Sequence, residues 1–280
     1  GDMDFQLDFD INMVRQGEKY LKEPEDMKDG PLKPEERPGQ MMIFANCKNI
    51  KIKDITIENS PHWTIHFADC NIVNVKSITI DNNMLIPNND GIHFTSSKNI
   101  RISDCYIKSG DDCIAITGFK KHQNFPGFSD KKNICGNVVV SNCTLKSRSA
   151  AIRVGAGHND INNCIFQNLV ITDSNRGMVV WQRDGNTISN IIFSNITIQT
   201  RLQAGRWWGK SEPFAISSLK RDVNTPSGKI KNIRFRNILA ESENGILIYG
   251  TRESFIENIE LKDIKININD SILSKTHGGN

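Results

Sequence analysis

"NIRISDCYIKS", Asn99 to Ser109, contains the plan of most of the chain: an asparagine, an alternating apolar run, then a polar turn. The phrase recurs as "NIKIKDITIENS" from Asn49, "NIVNVKSITIDNN" from Asn71, "NVVVSNCTLKS" from Asn137, "NCIFQNLVITDS" from Asn163 and "NIIFSNITIQT" from Asn190. Weaker copies are "NIRFRNILAES" from Asn232 and "NIELKDIKININ" from Asn258. Successive starts lie 22, 28, 38, 26, 27, 42 and 26 residues apart. The shortest gap defines a repeating unit, and the longer gaps are units with loops inserted. Alternation of apolar and polar residues, with Ile and Val dominant, is strand patterning. A second short strand falls between the phrases, in "WTIHFADC", "GIHFTSS", "CIAITG", "AIRVGA", "GMVVWQ", "PFAISS" and "GILIYG". No helix-length periodic segment separates them, which argues against βαβ units.

One architecture accommodates two or three strands in about 22 residues, repeated along the chain: an all-β, single-stranded parallel β-helix, each unit one turn of the coil. Inward Ile, Val, Leu and Phe stack on their counterparts in the next turn, each burial stabilising by roughly 1.5–3 kcal/mol. The recurring Asn suits a tight bend because it tolerates left-handed backbone. An antiparallel sandwich would need many hairpin turns. Only "NNDG" at Asn88 and "RDGN" at Arg183 offer any. The coil is expected over 41–270. Residues 1–40, charged and Pro-bearing, read as an N-terminal arm or partial cap, and 271–280 as a C-terminal tail.

Composition narrows the function classes. The 280 residues carry a formal net charge of +3, with Lys and Arg scattered. That gives no footprint for nucleic acid. No apolar run approaches the ~18 residues of a membrane span. The start, Gly1-Asp2, reads as a tag remnant, so the missing export leader does not decide localisation. Seven cysteines without CxxC spacing argue against zinc, and their odd number against a disulfide framework. They read as buried apolar fillers.

Registering the short strands gathers the chemistry. In "NNDGIHF" the residue before the glycine is Asp90, and in "GDDCIAI" the corresponding residue is Asp112, 22 residues on. Adjacent turns lie about 4.8 Å apart, so the two are stacked neighbours, with Asp111 beside them. Such a trio can bind a hard cation. It can also do acid–base work, where crowding makes one carboxyl hold its proton near neutral pH. A single Asp often merely caps a turn; three converging residues favour chemistry. With Ile65, Ile92, Ile114 and Ile152 inward, His66, His93, Ala115 and Arg153 form an outward column beside the acids. A groove of carboxylates, histidines and an arginine suits a polyhydroxylated or anionic ligand.

These residues resemble glycoside hydrolase family 28, the polygalacturonase-like enzymes of pectin breakdown, over roughly 37–268. The resemblance is carried by "RPGQMMIFANCKNIKIKDITIENSPHWTIHFADC", by "NNDGIHF" as an Asn-x-Asp motif with Asn88 and Asp90, and by "SGDDCIAI" as an Asp-Asp motif. "RWWGKSEPFAISSLKRD" and "NGILIYG" look like bacterial members. The resemblance implies a right-handed coil and inverting hydrolysis, with no cofactor and no metal. Asp111 would protonate the leaving oxygen, and Asp90 and Asp112 would hold and activate the water. Two family motifs are missing. Ala150, in "SAAIRVGA", stands where Gly-His-Gly has its histidine, and Val179 and Trp181 replace the Arg and Lys of Arg-Ile-Lys.

Trp181 exchanges a carboxylate grip for an apolar face, on which sugars stack. Trp207, Trp208 and Glu212, in the longest inserted loop, are further substrate-binding candidates, as are Arg153 and Arg176. The expected partner is a pectic poly- or oligosaccharide, galacturonan or rhamnogalacturonan, with a neutral sugar such as rhamnose favoured by Trp181. Loops at 118–133 and 200–212 are expected to wall the groove. The expected location is extracellular or periplasmic. A polysaccharide lyase, or a carbohydrate-binding β-helix without catalysis, is the alternative reading.

Overall fold

Alternation commits each segment to an extended strand with one buried face. In the computed structural model, which describes residues 38–120, 133–203 and 207–271, these strands form successive turns of a coil. The first turn is β1 (Met42–Ala45), β2 (Lys48–Lys53) and β3 (Thr56–Glu58). The second is β4 (Ile65–Ala68), β5 (Asn71–Lys76) and β6 (Thr79–Asp81), and the third β7 (Ile92–Thr95), β8 (Lys98–Ser103) and β9 (Tyr106–Ser109). The fourth is β10 (Ile114–Gly118), β11 (Cys135–Ser141) and β12 (Thr144–Ser147). Beyond β13 (Ala150–Gly157) the second and third strands of each turn fuse. The chain continues as β14 (Ile161–Ser174), β15 (Arg176–Gln182), β16 (Thr187–Thr200), β17 (Phe214–Ser218), β18 (Lys229–Ser242), β19 (Leu247–Gly250) and β20 (Ile256–Ile268).

Strands β1, β4, β7, β10, β13, β15, β17 and β19 lie side by side in one parallel sheet, and the others form a second sheet around the remaining sides. This is a right-handed parallel β-helix. The expected arm and tail fall almost wholly on 1–37 and 272–280, outside the described residues.

The repeating phrase is built on two corners five residues apart. Asn99 and Asp104, Asn137 and Asn142, Asn163 and Asn168, and Asn190 and Asn195 all have φ between 54° and 58°. Asn side chains at the first corner form a ladder. Asn137 donates to Asn99 at 3.0 Å, Asn163 to Asn137 at 3.2 Å and Asn190 to Asn163 at 3.1 Å. Inside, phenylalanines stack turn on turn: Phe67 on Phe94 and Phe166 on Phe193, each with ring centroids 4.9 Å apart. Six cysteines are buried and Cys47 is half-buried, all with free thiols. Burial pushes Cys113 and Cys135 up to about 12, so both behave as apolar filler.

One turn departs from the asparagine register. Asn71 pairs with Lys98, not with Asn99. Inward packing of Val73 and Val75 against Ile100 and Ile102 decides the register, and it leaves Ile72 at the corner with φ 61°. A β-branched residue there is strained. Ile72 is 44% exposed, so little packing depends on it. Ile72→Asn is expected to stabilise by about 1 kcal/mol, read as a thermal midpoint roughly 2–4 °C higher.

Candidate active site

The acid cluster is a product of this register. Ile92 pairs with Ile114, so Asp90 and Asp112, two residues upstream of each, lie level on adjacent turns. The Gly91 N–H donates to the Asp112 carbonyl at 2.9 Å. Continuing that edge through the paired strands brings Trp63 before Asp90, and Ala150, Arg176 and Glu212 after Asp112. The outward column runs His66, His93, Ala115, Arg153, Val179. Two local devices shape the turns. Asn88 takes the left-handed conformation, φ 55°. Gly110 lies so close to the 82–90 loop that a Cβ would meet the Ile86 carbonyl oxygen at 2.3 Å. Any side chain there would push the loop away from Asp111.

Asp111 accepts at Oδ2 from the Asn88 N–H (3.1 Å) and at Oδ1 from the Asp112 N–H (2.9 Å). Its carbonyl accepts from the Ser109 and Ser147 hydroxyls at 2.7 and 2.6 Å. Asp112 accepts at Oδ1 from the Ala150 N–H (3.1 Å) and at Oδ2 from Arg153 Nε. Arg153 Nη2 stands 3.8 Å from Asp90 Oδ2. Asp90 Oδ2 lies 2.8 Å from His93 Nδ1. Burial, reinforced by the charge of Asp112 and opposed by Arg153, pushes Asp111 up to about 7. Burial, then Asp111 and Asp112, raise Asp90 well above the usual carboxylate range. The cluster can therefore hold a proton at neutral pH.

The acids open into a cleft of about 890 Å³, open solvent at its mouth included. Of the expected binding residues, Asn88, His93, Arg153, Arg176, Trp181 and Trp208 line it. His66 does not. Its ring sits edge-on to Trp63 at 4.9 Å, fully buried, with Nε2 2.9 Å from Thr95 Oγ1. Trp207 is buried off the cleft. Glu212 acts at one remove, with Oε2 3.3 Å from Arg176 Nε. Arg153 is engaged by Asp112, Asp90 and the Gly155 carbonyl. It neutralises the acids and does not stand ready for a ligand carboxylate.

Trp63, Arg183 and Arg221 also line the cleft. Sequence reading passed over all three, although Trp63 stands two residues before Ile65 just as Asp90 precedes Ile92. Arg183 covers the Trp181 ring at 4.0 Å, and Arg221 binds Asp184 at 2.7 Å. Ala150, Val179 and Ala215 form a small apolar floor with Trp181 packed against it. Trp208 meets Trp181 edge-on at 5.6 Å. Trp208, from the 200–212 insertion, thus supplies part of one wall of the cleft; residues 204–206 lie outside the described residues. The 118–133 loop contributes Phe119; its residues 121–132 lie outside the described residues.

Coil and acid cluster together define a class, the β-helical glycoside hydrolases. The model for glycosyl hydrolases family 28 matches residues 12–277, and the chain belongs to that family. It is 24% identical over 210 residues to polygalacturonase QRT2 of Arabidopsis thaliana, covering 64% of this chain and 48% of that protein. The chain spans about half the length of such curated relatives. The fold is shared with an exopolygalacturonase from Thermotoga maritima at TM-score 0.70 and 21% identity, covering 81% of this chain and 50% of that one. It is shared with endopolygalacturonase I of Stereum purpureum, complexed with two galacturonates, at TM-score 0.55 and 17% identity, covering 81% and 70%.

The engagement of Arg153 has a measurable consequence. Arg153→Met leaves buried carboxylates uncompensated, a loss expected to cost about 3–5 kcal/mol. The acids can recover by taking up protons. Urea unfolding is therefore expected to show a larger deficit at pH 8 than at pH 5.

Proposed function

We propose that this chain is an inverting glycoside hydrolase acting on pectin-type poly- or oligosaccharides. The observation that carries the reading is the cluster of Asp90, Asp111 and Asp112 in one cleft, with Asp111 holding a proton up to about pH 7. Asp111 is the general acid, giving its proton to the leaving glycosidic oxygen. Asp90 and Asp112 hold the water on the opposite side.

The cleft favours a mixed ligand. Trp208 offers ring surface for the apolar side of a sugar, while Arg183, lying over Trp181, with Arg176 and Arg221, held by Glu212 and Asp184, makes one wall cationic. A neutral sugar against Trp208, joined to an acidic neighbour, suits this lining, so rhamnogalacturonan fragments are the first substrates to test, with galacturonan alongside. Polymeric glycans do not cross membranes unaided, so the proposed location is extracellular or periplasmic.

Incubation with pectic oligomers is expected to release product from the wild type, with the newly formed anomer inverted by NMR. Asp111→Asn is expected to lose at least 10²–10³-fold in kcat. No difference between the two would sink the assignment. The acid must be protonated to act, and its affinity for that proton is raised to about 7. The rate should therefore fall as pH climbs through about 7 and the acid loses its proton. A rate that rises across that interval would contradict Asp111 as acid.

A further inference from the structure

Ala150 stands where the family motif has a histidine, yet an imidazole reaches the acid cluster from a different turn. His93 Nδ1 lies 2.8 Å from Asp90 Oδ2, and both side chains are buried. His93 Nε2 lies 3.2 Å from Thr117 Oγ1. That hydroxyl has one proton, which can go to Nε2 in place of the Phe94 carbonyl at 3.0 Å. With Nε2 accepting from Thr117, a neutral ring carries its one proton on Nδ1, directed at Asp90. Trp63 stacks on the ring at 3.7 Å and 21°, and the His66 ring meets it edge-on at 5.6 Å. These neighbours fix the ring plane.

The three carboxylates are not equivalent. Each oxygen of Asp111 and Asp112 accepts from an N–H group. Other residues hold Asp90 through Oδ2, by His93 and more distantly by Arg153 at 3.8 Å, and its own backbone N–H also reaches the carboxylate. Asp90 Oδ1 accepts no hydrogen bond from another described residue. The charged and titratable groups facing the Asp90–His93 pair are Asp111 and Asp112 from the turn before β10, Arg153 from β13 and His66 from β4.

We propose that His93 is a positioning residue for the hydrolysis: its Nδ1–H anchors Asp90 by Oδ2 and leaves Oδ1 to take the proton of the attacking water. This rests on the hydrolase reading above. In the step, the water O–H bond breaks and its proton goes to Asp90 Oδ1. The water oxygen bonds to the anomeric carbon while the glycosidic bond breaks, and Asp111 delivers its proton to the leaving oxygen. His93 touches no substrate atom; it works by fixing the base, where a misplacement of about 1 Å can cost about 10²-fold.

Two substitutions separate this role from simple packing. The side-chain N–H of His93→Asn falls near Nδ1 and can still donate to Asp90. That of His93→Gln falls near Nε2 and serves Thr117 instead. Both lose the stacked ring, so a merely structural role lowers their thermal midpoints and rates alike. The expected result on pectic oligomers is a kcat about 100-fold lower for His93→Gln, with KM within about threefold of wild type. His93→Asn is expected to recover at least tenfold of that loss. Equal kcat in the two variants of an otherwise active enzyme would overturn the role of His93 alone. A wild type with no Asp111-dependent product would overturn the hydrolase reading, and this proposal with it.

Discussion

The in-register stacking of one turn on the next governs this molecule. Ile92 sits against Ile114, Phe94 against Ile116 and Val73 against Ile100. A slip of one residue would turn every inward side chain outward. Because one face of each strand is wholly apolar, the register is strongly specified, and residues far apart in sequence acquire fixed neighbours. The site inherits its precision from that constraint. Asp90 and Asp112 are level because the isoleucines two residues downstream must stack. Where asparagine preference and apolar packing compete, as at Ile72, packing wins and the backbone carries the strain.

Electrostatics in the cleft follow from what the register crowds together. Three buried carboxylates cannot all be ionised cheaply. Arg153 offsets part of that charge, and the remainder of the imbalance raises the proton affinity of both Asp90 and Asp111. The guanidinium that sequence reading offered to a ligand is therefore internal machinery. Arg176 is likewise oriented by Glu212. Arg183 and Arg221, which follow β15 and β17, add to the cationic lining of the cleft.

Membership of family 28 sits beside clear local departures. Ala150, Val179 and Trp181 stand where the resemblance places His, Arg and Lys, and with Ala215 they make an apolar floor. The acids are kept, while rings and arginines from other positions line the rest of the cleft.

The amino-acid order alone determined the coil, its period and the meeting of Asp90, Asp111 and Asp112, because a period-two pattern repeated at near-constant spacing admits one way of burying its apolar face. It also placed Ile65, Ile92, Ile114 and Ile152 inward and His93 and Arg153 outward. Only the tertiary structure decided what those outward groups touch. His66 is withdrawn beneath Trp63, Trp207 is buried, and Trp208 swings into the cleft from a loop with no repeat to register it. Arg153 turns to the acids and away from solvent. The physical reason is the same in each case. Backbone pairing fixes where a Cα lies, but the direction of a long side chain is set by charges and rings contributed from other turns, and these are neighbours only once the coil has closed.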